Sequence, residues 1–355
     1  MTILSSITAQ DYSTNLLLQQ VRRYNEQQRE LSQNRAFAEG QSRINSLNID
    51  ARRLSSLQSD LDSTVDQING NVTRAATIRT RTEDLVSQVV TAGSYGDGST
   101  YDLYRSTFNS LLRSINSTAE SGSLRGDNLL GEQPTSGLSY TANIRGLTNT
   151  VSDTYLGSDY YLEEAGGNIW VPDRSVQILR QRSATGAETG VYASITEGLR
   201  VDSVTGTSVT FTINYNTADS QQFTATLNTS GLGIVDAWYY ADLSTADGRT
   251  RALTDLNSAK ATIDVQLARL RAALAEAEFY QNENSVARTA AAGLIDNATA
   301  AQLVALQDVD SDFARRNDIT TNAIRASQLI RNEYRGFFNG GSNAGITGAL
   351  IDVIG

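Results

Sequence analysis

The feature of this sequence that most constrains its fold is a pair of heptad-like apolar stripes, one towards each end of the chain. In both stripes apolar residues recur at steps of three and four, along stretches that hold almost no glycine and no proline. A helix with one narrow apolar stripe on an otherwise polar surface cannot bury that stripe alone. The two ends of the chain are therefore expected to fold back and pack on each other as a coiled bundle.

A third and shorter stretch, residues 104–119, repeats the spacing and is expected to add a helix to the same bundle. Lys260 occupies the one polar slot in the last stripe. The residues predicted to pack inside the bundle are the apolar members of the three stripes: Leu54, Leu57, Leu61, Val65, Ile68, Val72, Phe108, Leu112, Ile115, Leu256, Ile263, Leu267, Leu270 and Leu274.

The centre of the chain has a different composition. Both prolines, Pro134 and Pro172, lie in a block at about 131–250 that is rich in Gly, Ser, Thr and Tyr. Apolar and polar residues alternate over 209–215 and again over 223–227, which predicts a β-hairpin. Further short strands are predicted at 160–162, 169–171, 176–179 and 191–195.

The predicted fold class is mainly α with a central β-rich insertion, and the N- and C-terminal helices pair into an elongated coiled-coil-like bundle. The predicted domains follow the changes in composition. They are terminal helices at 1–45 and 303–355, a helical bundle at 46–134 and 250–302, and an outer β-rich domain at 135–249.

Both terminal segments scatter apolar residues among Gln, Asn and Arg, whereas the ends of most domains are polar and frayed. Such amphipathic ends are expected to order only against other chains. The alternative is two ordinary helices that close the same domain. The residues predicted to pack between subunits are Ile3, Leu4, Leu17, Leu18, Val21, Leu306, Phe313 and Ile324.

The chain has no Cys and no His, which excludes disulfides, thiol nucleophiles, His-dependent triads and zinc sites built on these residues. The formal net charge of -10 argues against nucleic acid as a ligand, because phosphate binding needs a basic surface. No apolar run reaches the length of a membrane span. The N-terminus lacks the pattern of a cleaved secretory signal, so the chain is expected to be cytoplasmic or to leave by another route.

The remaining candidates for chemistry are carboxylates and aromatic residues. The pair Glu163 and Glu164 is interpreted as a solvated acidic surface. The series Asp308, Asp310 and Asp312 lacks the Gly and Glu that a calcium loop requires. The aromatic runs at 160–161 and 238–240 are interpreted as core, with sugar stacking as the alternative. No catalytic, cofactor-binding or metal-binding residue is predicted.

Four stretches at the two ends of the chain together resemble bacterial flagellin. Residues 105–119, followed by the run Gly-Asp-Asn-Leu-Leu-Gly at 126–131, are similar to the flagellin helix that ends in Asn-Gly-x-Asn-Leu-Leu. Residues 263–282 are similar to the C-terminal helix of the flagellin D1 domain. The run Asp-Ser-Asp-Phe-Ala at 310–314 is similar to the start of the last flagellin helix, and the Gln-rich stretch ending near 30–32 to the first.

This resemblance implies a helical D0 domain made from both termini, a D1 bundle with a small β part, and an outward central domain that varies in the family. It implies a subunit that self-assembles into the flagellar filament for swimming motility. Export would use the flagellar type III apparatus without a cleaved signal, and the final location would be extracellular. The implied partners are further copies of the chain, the flagellar cap, hook–filament junction proteins and an export chaperone.

Two alternatives to the filament subunit stay open. The first is a hook–filament junction protein, which has the same kind of termini but does not polymerise at length. The second is a secreted glycan-binding protein or a carboxylate-dependent enzyme housed in the central block.

Two segments depart from the flagellin pattern. Residues 81–86 (Arg-Thr-Glu-Asp-Leu-Val) match a segment that reads Arg-x-Arg-Glu-Leu in flagellins sensed by Toll-like receptor 5. Glu83 reverses the charge of the second Arg, so poor recognition by that receptor is predicted. The Gly-rich residues 336–345 are expected to interrupt the last helix before an apolar tail at 346–354.

Overall fold

Three long helices and a central sheet make up the chain, as seen in a computed structural model. The helices are α1 (Thr2–Tyr95), α2 (Thr100–Glu120) and α3 (Ala246–Asn339). The backbone is described for residues 2–121, 128–132 and 137–339, and the side chains for residues 15–121, 128–132 and 137–334. The predicted fold class, helical ends around a β-rich insertion, is confirmed.

The strands form one seven-stranded antiparallel sheet and one separate two-stranded sheet. In the large sheet the order is β6-β5-β4-β3-β9-β8-β7, so two meanders meet where β3 pairs with β9. The strands are β1 (Leu138–Thr141), β2 (Thr148–Val151), β3 (Ser158–Glu164), β4 (Ile169–Asp173), β5 (Ile178–Arg182), β6 (Glu188–Ser194), β7 (Leu199–Thr205), β8 (Ser208–Ile213) and β9 (Gln221–Gly231).

The predicted hairpin is β8 followed by β9, and the other predicted strands correspond to β3, β4, β5 and β6. Strand β5 begins two residues later than predicted. Val176 is exposed, and Gln177 has a φ of 56°, a left-handed conformation that interrupts an extended strand. Strands β1, β2 and β7 were not predicted.

The chain divides into two compact units. One comprises Met1–Arg53 with Ala287–Gly355, and the other comprises Leu54–Val286. We call them the terminal unit and the central unit. The three-domain division drawn from the sequence stays a prediction.

The core of the central unit runs from the helical stripes into the sheet. Of the residues predicted to pack in the bundle, all but three are buried, and the exceptions, Val65, Val72 and Leu274, are half-buried against the same core. On the sheet side Trp170, Phe211 and Trp238 are fully buried, and their rings pack edge-on or tilted. The inner face of the sheet and the helices therefore share one apolar core.

A short 3₁₀ helix, Ala237–Leu243, leads the chain from the sheet back into α3. A Cβ atom at Gly248 would lie 2.1 Å from the carbonyl oxygen of Tyr240, so only glycine permits this close approach at the start of α3. Ala241, Asp242 and Leu243 have φ values of 51°, 55° and 64°. Left-handed conformations are costly for residues with a side chain, so the surrounding contacts must stabilise this turn.

The last helix continues further than the sequence indicates. Its backbone is helical through Gly336 to Asn339, so the interruption expected to begin at residue 336 is wrong for these four residues. One glycine within a helix costs only about 1 kcal/mol relative to Ala. Residues 340–355, including the rest of the Gly-rich stretch and the apolar tail, lie outside the described residues.

The shared core generates a stability prediction. The substitution Leu267→Asp places a charge at a position that is 3% exposed in the helical seam. The free energy of unfolding should fall by roughly 3–5 kcal/mol, because the carboxylate loses its hydration in an apolar core. Thermal unfolding followed by circular dichroism measures the loss.

The matched control is Val265→Asp, two residues away on the same helix, where the side chain is 54% exposed. This variant should unfold within about 0.5 kcal/mol of the parent. Equal stabilities for the two variants would contradict the packing of α3 described here.

Candidate functional site

In the terminal unit the segments of α1 and α3 are joined by polar contacts. Asn25 Nδ2 donates to Asn317 Oδ1 at 2.6 Å, and Gln33 Nε2 donates to Asp310 Oδ1 at 2.6 Å. Side chain–side chain hydrogen bonds of this kind each contribute about 1 kcal/mol net. They fix which residues of the two segments face each other without burying much apolar area.

At one glycine these two segments approach each other closely. A Cβ atom at Gly40 would lie 2.6 Å from the Cγ atom of Gln302. The side chain of Gln302 covers this position and donates from Nε2 to the carbonyl oxygen of Phe37 at 3.0 Å. Gly40, one of only two glycines in residues 1–90, thus makes room for a helix–helix contact.

Many large apolar side chains of the terminal unit remain exposed to solvent. We call the following residues, each more than half exposed, the terminal apolar set: Leu16, Leu17, Tyr24, Leu31, Phe37, Ile49, Leu294, Leu303, Val304, Ile319, Leu329, Ile330 and Tyr334. Single exposed apolar residues are ordinary, but such a density on two helices is typical of an interaction surface. The terminal apolar set is therefore the candidate functional site.

The residues predicted to pack between subunits are not all equally exposed. Leu17 belongs to the terminal apolar set, whereas Leu18, Val21, Leu306 and Ile324 are half-buried in their own unit. The side chains of Ile3 and Leu4 lie outside the described side chains.

Phe313 differs from the other residues of this prediction, because it is only 8% exposed in its own chain. The guanidinium of Arg316 lies 5.3 Å from the centre of its ring. Phe313 thus already packs within its own chain and offers little surface to another copy. The heptad-like spacing alone could not distinguish this residue from its exposed neighbours.

The candidate carboxylates have structural surroundings. Glu164 Oε1 accepts hydrogen bonds from Trp170 Nε1 at 2.6 Å and from Gln181 Nε2 at 2.5 Å, which holds neighbouring strands together. Asp310 and Asp312 lie on α3, where Asp312 pairs with Arg316 at 2.8 Å. Within the described residues, no group of three or more acidic side chains is placed to hold a metal ion.

Glu83, the residue that reverses charge in the 81–86 segment, joins α1 to α3. It pairs with Arg79 at 3.0 Å and with Lys260 at 3.2 Å, and Arg79 also contacts Asp264 at 2.6 Å. The carboxylate is partly exposed, so each pair contributes little stability. Lys260, the one polar residue in the apolar stripe of α3, thus pairs with an acidic residue on α1.

Two buried tyrosines link the sheet to the helices in the central unit. Tyr160 receives a hydrogen bond from Trp238 Nε1 at 3.1 Å and donates from its hydroxyl to Asp236 Oδ2 at 2.9 Å. Tyr240 donates in the same way to Asp255 Oδ2 on α3, at 2.8 Å. Burial raises the pKa of both tyrosine hydroxyls, so they remain protonated donors.

These contacts leave little aromatic surface for stacking on a sugar. Tyr160, Trp238 and Tyr240 are at most 3% exposed and belong to the core. Tyr161 is 42% exposed on the outer face of β3. The aromatic runs at 160–161 and 238–240 therefore serve mainly to pack the sheet against the helices.

The left-handed turn between the sheet and α3 contains a half-buried ion pair. Asp242 Oδ2 lies 3.7 Å from Arg105 Nη1, and Arg105 also pairs with Asp102 at 3.2 Å. Burial raises the pKa of Asp242 to about 6, against the opposing attraction of Arg105. Within the described residues, Asp242 Oδ1 accepts no hydrogen bond, which adds to the cost of the charged form.

In the described residues no helix is both long enough and apolar enough to cross a lipid bilayer. No protein-family model matches the sequence, and no curated protein matches it. Among solved structures the chain is similar to FliC from Burkholderia pseudomallei, with 18% identity and a TM-score of 0.31, over 60% of this chain and 99% of that one.

The chain is also similar to two crystal forms of FlgL from Xanthomonas campestris. The H3 form has 11% identity and a TM-score of 0.27, over 64% of this chain and 91% of that one. The C2 form has 13% identity and a TM-score of 0.24, over 83% and 99%. These TM-scores are low, so the functional proposal rests on the residues of this chain.

The raised pKa of Asp242 predicts a pH-dependent stability. The folded chain holds this proton more tightly than the unfolded chain, so the stabilisation is present below about pH 4 and is lost as the pH rises through about 6. Asp242→Asn keeps the shape of the neutral carboxyl. At pH 8 the variant should gain about 2–3 kcal/mol in the free energy of unfolding, and at pH 4 it should gain almost nothing.

Chemical denaturation at the two pH values measures this difference. Asp219→Asn, which neutralises an exposed carboxylate in the loop after β8, is the control and should change stability little at either pH. An equal gain for Asp242→Asn at pH 4 and pH 8 would contradict the assignment of the buried charge.

Proposed function

We propose that this chain is a structural subunit that self-assembles into the bacterial flagellar filament and serves swimming motility. The observation that carries the proposal is the terminal apolar set, which lies on helices made from both ends of the chain. The flagellin-like motifs at these same ends support it. The chain acts through packing against its own copies and not through catalysis.

The energetic argument follows from the exposed area. Transfer of one Leu or Ile side chain from water into a packed interface stabilises the assembly by about 1.5–3 kcal/mol. A subunit that offers the thirteen side chains of the terminal apolar set to several neighbours can offset the entropy lost when it is fixed in place. The polar contacts of Asn25 and Gln33 keep the two helices in register while their apolar side chains remain available.

The other assigned properties follow from this proposal. The subunit is exported through the flagellar type III apparatus and acts outside the cell, and its partners are further copies, the flagellar cap, junction proteins and an export chaperone. Poor recognition by Toll-like receptor 5 also stays a prediction, supported by the carboxylate of Glu83 where such flagellins carry an Arg.

The first test is assembly of the full chain. Purified protein, seeded and salted out, should give long filaments under negative-stain electron microscopy, and deletion of residues 1–30 or 320–355 should abolish them. Short rings or caps without long filaments would instead favour the hook–filament junction protein. A monomer that binds or cleaves a glycan would contradict both assembly functions.

A point substitution separates assembly from folding. Ile319 is 62% exposed, so Ile319→Asp should leave the stability of the monomer within about 0.5 kcal/mol of the parent. The critical concentration for polymerisation should nevertheless rise by about tenfold or more, because a charge replaces an apolar contact at every repeated interface. Sedimentation of polymer over a concentration series measures it.

The matched control is Asn322→Asp, which adds the same charge at an exposed polar position on the same helix. It should polymerise close to the parental concentration. If Ile319→Asp assembles like this control, the terminal apolar set is not the assembly surface.

A further inference from the structure

A small cavity in the central unit lies where α2, the turn between β4 and β5, and the start of the 3₁₀ helix meet. It leaves about 10 Å³ in which the centre of a water-sized sphere can move, which is roughly the room that one small bound species needs. Six of the seven residues that line it are polar, and Thr196 comes from the turn after β6: Asn109, Arg113, Arg174, Gln177, Thr196 and Asp236.

The guanidinium of Arg174 has one edge whose N–H groups make no hydrogen bond within the described residues. Its Nη1 donates to Asp159 Oδ1 at 3.1 Å, and the group lies 5.9 Å from the ring centre of Tyr160. Its Nε and Nη2 atoms are buried and have no hydrogen-bond partner within the described part of the chain. These two N–H groups lie on the same edge of the planar guanidinium and form a fork suited to an anion.

The amide of Asn109 adds a third unpaired donor. This residue is 6% exposed, and its Oδ1 accepts the backbone N–H of Ala237 at 2.8 Å. Because the oxygen must face that N–H, the orientation of the amide is fixed, and Nδ2 is the group left without a partner among the described residues. Each buried donor without a hydrogen-bond partner lowers the stability of the fold by about 1–3 kcal/mol. A bound ligand that accepts these hydrogen bonds would remove that cost.

The unpaired buried atoms of the described lining residues are all donors. Water both accepts and donates hydrogen bonds, whereas a halide ion only accepts them. Arg113 and Arg174 add positive charge on the lining, and the room in the cavity suits a small ion. We propose that the cavity binds one chloride ion, which joins α2 to the β-sheet.

The nearby carboxyl group is compatible with an anion. Asp236 is 3% exposed, and its Oδ2 accepts the hydroxyl of Tyr160. Burial raises the pKa of Asp236, while Arg174 and Arg113 act in the opposite direction and Asp159 adds to the rise. The rise favours the uncharged carboxyl, which repels chloride less than a carboxylate does.

The test on the full chain uses chloride itself as the probe. The two tryptophans of the protein, Trp170 and Trp238, are buried between the sheet and the helices and report its unfolding. Sodium chloride should raise the thermal midpoint of their fluorescence relative to sodium gluconate at equal ionic strength. The chlorine NMR line should broaden in the presence of protein and saturate with a single site.

Two variants assign the effect to this cavity. Arg174→Lys keeps the charge but removes the fork, and Asn109→Asp keeps the oxygen that accepts Ala237 N–H but removes the third donor. Each should weaken chloride binding by about tenfold or more, since a charged hydrogen bond contributes about 1.5–3 kcal/mol. Tryptophan spectra in gluconate check that the variants fold.

The control is Arg180→Lys, which alters a sheet arginine that pairs with Asp173 at 3.3 Å and does not line the cavity. It should bind chloride as the parent does. Equal midpoints in chloride and gluconate for the parent, or parental affinity in both Arg174→Lys and Asn109→Asp, would overturn the proposal.

Discussion

Burial of the apolar stripe on each helix is the interaction on which the central unit depends. Leu61 and Ile68 on α1, Leu112 on α2, and Leu256 and Ile263 on α3 are at most 1% exposed and belong to one core. None of these helices could bury its stripe alone. Helices α1 and α3 come from opposite ends of the sequence, so the chain between them must leave the bundle and return to it. The strands of the sheet lie in this connecting segment.

Helices α1 and α3 contribute residues to both units, but different interactions hold each unit together. The central unit buries its apolar residues, and two hydrogen-bonded tyrosines, Tyr160 and Tyr240, link its sheet to its helices. In the terminal unit, polar pairs such as Asn25–Asn317 set the alignment, while side chains such as Leu329 remain 66% exposed. One part of the chain is thus complete as a monomer, and the other carries unsatisfied apolar surface.

Periodicity predicted the helices and most of the large sheet, because these elements bury one face and the sequence records which face it is. Strand β7 was missed because its pairing shifts register near Asp202 and its exposed residues do not alternate cleanly. Strands β1 and β2 are four residues long and rich in Ser, Thr and Asn. The burial of Phe313 and the fork of Arg174 depend on contacts across the fold, which no local pattern encodes.

The segment that forms the large sheet, from β3 to β9, begins and ends at the same place. Ser158, the first residue of β3, is paired with Gly231, the last residue of β9, and its backbone exchanges hydrogen bonds with Asn116 of α2 at 2.7 and 2.9 Å. The strands from β3 to β9 therefore start and end beside α2. Insertions in the exposed loops between these strands leave both anchor points in position. Changes confined to those loops therefore leave the packing of α1, α2 and α3 on one another intact.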